Sequence, residues 1–179
     1  MKILKIIGLI IVGIIALALI TALFAKKEYA VKREVTIAKP KQEVFDYLKY
    51  LKNQDNFSVW NRKDPAMKKD FKGVDGTVGA MASWDSESKE VGKGEQTITA
   101  IKEGERIDFD LHFIKPFEAH DHAYFTTTAL DSTQTKVVWG FDGTMNYPMN
   151  LMLVFCDMDA MLGKDLQKGL DDLKAILEK

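Results

Sequence analysis

The 179-residue chain holds one cysteine, Cys156, so it can form no internal disulfide, and its cysteine usage does not reveal a redox compartment. A lone cysteine in an apolar-periodic stretch reads as a small buried side chain. There is no Gly-x-Ser-x-Gly motif and no evident histidine partner for Cys156, which leaves nucleophilic catalysis without support. Gly92-Lys93-Gly94 lacks the Gly-Lys-Ser/Thr ending of a phosphate loop and leads into no helix, so it reads as a hairpin turn. Histidine is scarce as well, at three residues. His120 and His122 point the same way if they lie on a strand, and His112 is a possible third ligand from a neighbouring strand. The pattern puts His112 opposite Phe109 and Phe113, however, and two histidines do not complete a metal site. Glu118 and Asp121 flank the pair, and the stretch reads as a polar strand start. No internal repeat is present. These absences leave the sequence with no catalytic residue, no metal set and no cofactor motif to name.

Positive charge is also in short supply outside the first 27 residues. Those residues hold four lysines and no acid, so 21 of the 25 basic and all 26 acidic side chains fall in the remaining 152, a formal charge of −5. That balance speaks against nucleic acid as a partner. One domain with a sizeable core fits 152 residues.

The chain does contain one long hydrophobic run. From Ile6 to Ala25 twenty consecutive residues carry no charge, and at 1.5 Å per residue they span about 30 Å, the thickness of a bilayer core. A cleaved secretory signal is the competing reading. Ala16-Leu17-Ala18 has the small-x-small form, but the apolar run continues past it to Phe24, and cleavage after Ala25 would leave bulky Leu23 three positions back. The expectation is an uncleaved signal-anchor over residues 1–27 and a folded domain over 28–179. Lys2 and Lys5 before the run nearly balance Lys26 and Lys27 after it, with Lys32 and Arg33 adding to the second side. A positive start before a long apolar run favours the N-terminus inside, and long domains cross largely regardless of charge. The domain is therefore expected on the non-cytoplasmic side of a single-pass segment.

At the other end, Leu151, Phe155, Met158, Leu162, Leu166, Leu170, Leu173 and Leu177 fall three or four residues apart, the period of one helical face. They predict one helix from Met149 to Lys179, with Pro148 suited to its first turn. Gly163 and Gly169 are either tolerated at roughly 1 kcal/mol each relative to alanine, or mark a close approach of a sheet or ligand. So long a stripe needs a large apolar partner.

The stretch between can supply it. Tyr29, Val31, Val35 and Ile37 alternate with Lys32, Glu34 and Thr36, a strand of period two. Arg33 falls on its apolar side, either at a sheet edge or facing a carboxylate. Pro40 opens a helix to about Lys52 with Val44, Phe45, Leu48 and Leu51 inward, and Asp55–Arg62 reads as a second short helix. Then come about six strands in hairpin order. The clearest, Arg106–Ile114, puts Ile107, Phe109, Leu111 and Phe113 inward, with Asp108, Asp110 and His112 outward. Successive hairpins imply an antiparallel sheet and an α+β fold.

Three stretches resemble a known superfamily: Val35-Thr36-Ile37-Ala38-Lys39-Pro40-Lys41-Gln42-Glu43-Val44-Phe45, then Phe57-Ser58-Val59-Trp60, then Thr135-Lys136-Val137-Val138-Trp139. With the element order, they resemble the helix-grip fold of the START-like, polyketide-cyclase and birch-pollen-allergen superfamily, often called SRPBCC, over about Tyr29 to Lys179. The resemblance implies a curved sheet of about seven strands gripping the last helix, with an apolar cavity between them. Members bind lipids, sterols, polyketides, hormones or partner proteins, and a few are cyclases or hydroxylases. Fold alone does not choose among these. The expected function is membrane-tethered binding of an apolar small molecule or lipid. The cavity would be lined by Trp84, Tyr124, Trp139, Phe141, Phe155, Met158 and Leu162. The alternatives are a cyclase- or dehydratase-like enzyme, built on Arg33 with an acid or on His120 and His122, and a protein-interaction domain like the superfamily's co-chaperone activators.

Overall fold

The computed structural model describes residues 2–88 and 90–179. The apolar run forms helix α1, Lys2–Phe24, whose side chains are exposed except those of Ala18, half-buried, and Ala22, buried. At 23 residues it is about 35 Å long, enough to cross a bilayer core. Strand β1 (Glu28–Ile37) follows, then α2 (Lys41–Leu48), a 3₁₀ turn at Leu51–Asn53, and two one-turn helices, α3 (Gln54–Phe57) and α4 (Val59–Lys63). The second helix expected at Asp55–Arg62 is thus two pieces, broken where Ser58 turns extended.

Six strands come next: β2 (Lys68–Lys72), β3 (Met81–Asp85), β4 (Lys93–Lys102), β5 (Arg106–Lys115), β6 (Ala119–Ala129) and β7 (Thr135–Thr144). With β1 they form one seven-stranded antiparallel sheet in the order β1-β7-β6-β5-β4-β3-β2. Only the β1–β7 contact is not a hairpin, so the local turn signals in the sequence account for most of the topology. Alternation makes the sheet two-faced. Val31, Ile37, Ile107, Phe109, Phe125, Val137 and Trp139 point inward and are buried, while charged and polar side chains occupy the outer face.

The C-terminal stripe is not one helix from Met149. A 3₁₀ turn (Met149–Leu151) and the one-turn α5 (Met152–Phe155) come first, Cys156 and Asp157 are extended, and α6 runs Met158–Leu177. The break has a local cause. Asp157 accepts a hydrogen bond from the Ala160 N–H at 3.0 Å and so caps a new helix N-terminus. Cys156 is half-buried at this joint rather than buried. Helix α6 lies along the inner face, with Leu166, Leu170 and Leu173 fully buried against the sheet.

Both helical glycines mark close approaches. A Cβ at Gly169 would stand 2.6 Å from the Trp139 ring, and one at Gly163 would stand 2.0 Å from the Arg33 guanidinium. Arg33 is at the sheet edge and also faces a carboxylate. It donates to both Asp159 oxygens at 2.8 Å and to the Asp159 carbonyl at 3.0 Å. This hydrogen bonding holds the Asp159 carboxyl below its usual range.

Asn150, fully buried, joins α1 to the body. Its amide donates to the carbonyls of Ala22 at 2.7 Å and Ala25 at 3.2 Å, the oxygens that the end of α1 leaves without helical partners.

Candidate functional site

An apolar cavity of about 340 Å³ lies between the inner sheet face, helices α3 and α4, and helix α6. Its size is that of a small-molecule site. Period-two strands deliver Ala82 and Trp84 from β3, Leu111 and Phe113 from β5, Ala123 from β6, and Trp139 and Phe141 from β7. Leu162 and Leu166, one turn apart on α6, close it from above. Aromatic contacts hold the wall. Trp139 packs against Phe125, Phe57 and Trp60 with ring centroids 4.9, 5.7 and 5.9 Å away, and Trp84 meets Phe113 edge-on at 6.0 Å. The Trp84 indole N–H donates to the Val91 carbonyl at 3.3 Å, which fixes the ring toward the cavity.

Polar groups come from the helical side (Gln54, Asp55, Ser58 and Asn61) and from the strands and rim (Lys69, Ser83, Glu90, Gln96 and Lys115). Lys69 and Asn61 both donate to Asp55, at 2.8 and 2.7 Å, so that cluster is internally satisfied. Gln54 is different. It is 4% exposed, lines the cavity, and its amide nitrogen has no hydrogen-bond partner among the described residues. A buried donor left without an acceptor costs about 1–3 kcal/mol, so a molecule that offers an acceptor there gains by it.

The seven side chains expected to line the cavity divide into three groups. Trp84, Trp139, Phe141 and Leu162 line it. Met158 is half-buried and packs against the core beside it. Tyr124 and Phe155 are elsewhere. Tyr124 follows Ala123 and precedes Phe125, both inward and buried, so its own ring faces outward, stacked beside His122 at 5.6 Å and beneath the Arg106 guanidinium at 4.1 Å. Phe155 is 80% exposed, because the helix break turns α5 away from the face that α6 buries. Sequence reasoning assigned Leu111 and Phe113 to the inner face but did not single them out for the cavity. It missed Gln54, which sits among polar neighbours with no periodic signal.

The polar groups on which an enzyme reading would rest lie outside the cavity lining. Arg33 is engaged with Asp159, and His120 and His122 belong to the outer face. His122 bridges two carboxylates, Asp108 at 2.8 Å and Asp142 at 3.1 Å. Burial pushes the Asp108 carboxyl up, but hydrogen bonds from Arg106 and His122 outweigh it and hold it below the usual range. Near the start of β6, burial raises the Asp121 carboxyl despite a hydrogen bond from the Thr144 N–H. Burial, then the nearby Asp121, raises the Tyr29 hydroxyl.

The strand register locates the cavity rim relative to α1. Glu28 pairs with Thr144, His122 with Asp142, Phe113 with Ala119, and Lys93 with Lys115. The start of β1, the ends of β5 and β7 and the starts of β4 and β6 therefore share one end of the sheet. The exposed part of the rim includes Glu90, Lys115, Pro116 and Phe117, which sit at this end, and α1 joins β1 there through Ala25-Lys26-Lys27.

No protein-family profile and no curated protein matches the chain by sequence. Solved structures do match it by shape. Protein MLL2253 from Mesorhizobium loti superposes with a TM-score of 0.60 at 14% identity, covering 84% of this chain and 97% of that one. The Zhui aromatase/cyclase from Streptomyces sp. R1128 gives 0.60 at 14%, over 84% and 94%. Ara h 8.0201 gives 0.55 at 12%, over 84% and 97%. The class is thus an antiparallel sheet gripping a C-terminal helix. The chain shares, specifically, the helix-grip fold of these structures, preceded by an apolar helix long enough to cross a membrane.

Proposed function

We propose that this chain is a membrane-anchored binding protein that houses an apolar small molecule, or the apolar part of a lipid, between its sheet and α6. The observation that carries the reading is the 340 Å³ cavity, walled by aromatic and aliphatic side chains and rimmed at the end of the sheet where α1 attaches. In this reading α1 is the anchor and residues 28–179 are the binding body. A body held this way keeps its cavity mouth near the bilayer. Phe117, 69% exposed, stands on the rim, and Met149, Met152, Val154 and Phe155 are exposed around Asn150, the residue bound to the end of α1. Exposed apolar side chains so placed suit the bilayer interface. The lone amide donor of Gln54 favours a ligand with one hydrogen-bond acceptor inside an otherwise apolar outline. The printed activity of the aromatase/cyclase belongs to that protein, and the Asp55–Lys69–Asn61 cluster at this cavity, paired within itself, does not argue for bringing it here.

Full-length chain purified from membranes in mild detergent is expected to carry an apolar molecule, released on denaturation and identified by mass spectrometry. Protein that neither carries nor accepts any apolar molecule overturns the proposal.

Topology is part of it: the body lies on the non-cytoplasmic side. A reporter fused after Lys179 that works only outside the cytoplasm is expected to be active. Activity confined to its cytoplasmic counterpart would reverse the orientation and make the ligand a cytosolic one.

A further inference from the structure

We propose that His112, His120 and Glu118 form a binding site for a divalent transition metal of the zinc type on the outer face of the sheet, behind the cavity rim. The sequence draws attention to His120-x-His122 on one strand, but the register makes a different pair. His112 on β5 lies directly opposite His120 on β6, and their rings stack 4.1 Å apart at 8°, so one ring turns about its side-chain bonds to bring both in-plane lone pairs onto one ion. Glu118 comes from the hairpin that joins the two strands. One candidate ligand atom from each of the three residues lies within 4.8 Å of the others.

Three features mark this as a ligand set rather than a chance cluster. The His112 Nε2 atom is buried and makes no hydrogen bond among the described residues. It stands 3.5 Å from Glu118 Oε1, too long for a hydrogen bond but close to the roughly 3.3 Å between two ligands that share a tetrahedral zinc at about 2.0–2.1 Å. The other ring nitrogen of His112, Nδ1, lies within hydrogen-bonding reach of Glu95 at 3.4 Å, and a further carboxylate, Asp110, stands 3.6 Å from His120 Nδ1. Carboxylates on the far nitrogen orient a ligating imidazole and make it more basic. His122, two residues from His120 on the same face, has both nitrogens taken by Asp108 and Asp142 and belongs to a separate network. Two imidazoles and a carboxylate suit zinc, with water completing the tetrahedron.

The site stands independently of what the cavity holds, but its position has a consequence. Glu118 directly follows Phe117 on the rim, so a metal here ties the rim loop to β5 and β6.

The test is isothermal titration of untagged full-length chain in detergent with zinc chloride, repeated with cobalt chloride to read the visible absorption of a tetrahedral complex. One ion per chain with micromolar affinity is expected. His120→Ala and Glu118→Ala both lie at exposed positions and leave the fold intact by circular dichroism. Each is expected to weaken binding by at least about 10–100-fold, the scale seen when only a group behind a metal ligand is removed. His112→Ala is expected to match them, and His122→Ala is expected to leave the affinity unchanged. No binding up to ~1 mM zinc, or binding that survives the His120→Ala/Glu118→Ala double variant, overturns the site. So does loss of binding in His122→Ala, which would point instead to the Asp108–His122–Asp142 network.

Discussion

Leu166→Ala is expected to destabilise the protein by about 2–5 kcal/mol, the range for truncating a fully buried leucine. Leu166 is 0% exposed and sits at mid-length on α6, where the helix meets both the packed core and the cavity roof. Its loss removes apolar contacts with the inner face of the sheet, and it merges new space with the existing cavity. Leu162, one turn earlier, is only half-buried over the cavity. Leu162→Ala therefore falls at the lower end of that range or below it, because part of its surface already borders open space. Urea melts of the two variants measure the difference. A loss under about 1 kcal/mol for Leu166→Ala would mean that α6 does not carry the core.

The same helix shows how far the sequence could be read. Its buried stripe was legible because leucines at 162, 166, 170 and 173 repeat at helical spacing and nothing else in the fold demands that spacing. The break at Cys156 and Asp157 was not legible from the stripe. Leu151, Phe155 and Met158 keep the same three-to-four rhythm across it, so periodicity alone runs straight through. The signal that could have revealed it was Asp157, a good capping residue immediately ahead of α6. Reading the stripe as continuous put Phe155 in the cavity, whereas the cap turns it out to solvent.

Strand faces were legible wherever charges alternate with apolar residues, as in Arg106–Ile114. They failed at Tyr124-Phe125, where two neighbouring aromatics cannot both face in. Register decides between them: Phe125 lies opposite Trp139, and both are buried. Contacts across strands were the least legible. Within β6 the eye joins His120 to His122, but the sheet joins His120 to His112, eight residues earlier. Gln54 carried no signal, because a buried amide at the start of a short helix looks like any capping-region polar residue until the cavity is seen.

A tryptophan in place of Ala82 is expected to reduce the affinity for an apolar ligand about a hundredfold or more. Ala82 lies on β3, near the open edge of the sheet, with its side chain on the cavity wall and its backbone paired with Phe71 and Gln96. An indole grown from that wall enters the 340 Å³ space itself. Each ligand methylene it excludes forfeits about 0.8 kcal/mol of burial. Excluding four forfeits about 3 kcal/mol, and each 1.4 kcal/mol is tenfold in affinity. The fold tolerates the change better than the ligand does, since the added atoms occupy a void and displace no packed neighbour; overpacking a filled core would instead cost about 1–3 kcal/mol. The measurement is fluorescence titration with anilinonaphthalene sulfonate and with the molecule recovered from the wild-type chain, alongside a thermal melt. If Ala82→Trp folds, melts like the wild type and still binds both with undiminished affinity, the ligand does not occupy this cavity. If the affinity collapses while the melt is preserved, the space under α6 is where the apolar molecule goes.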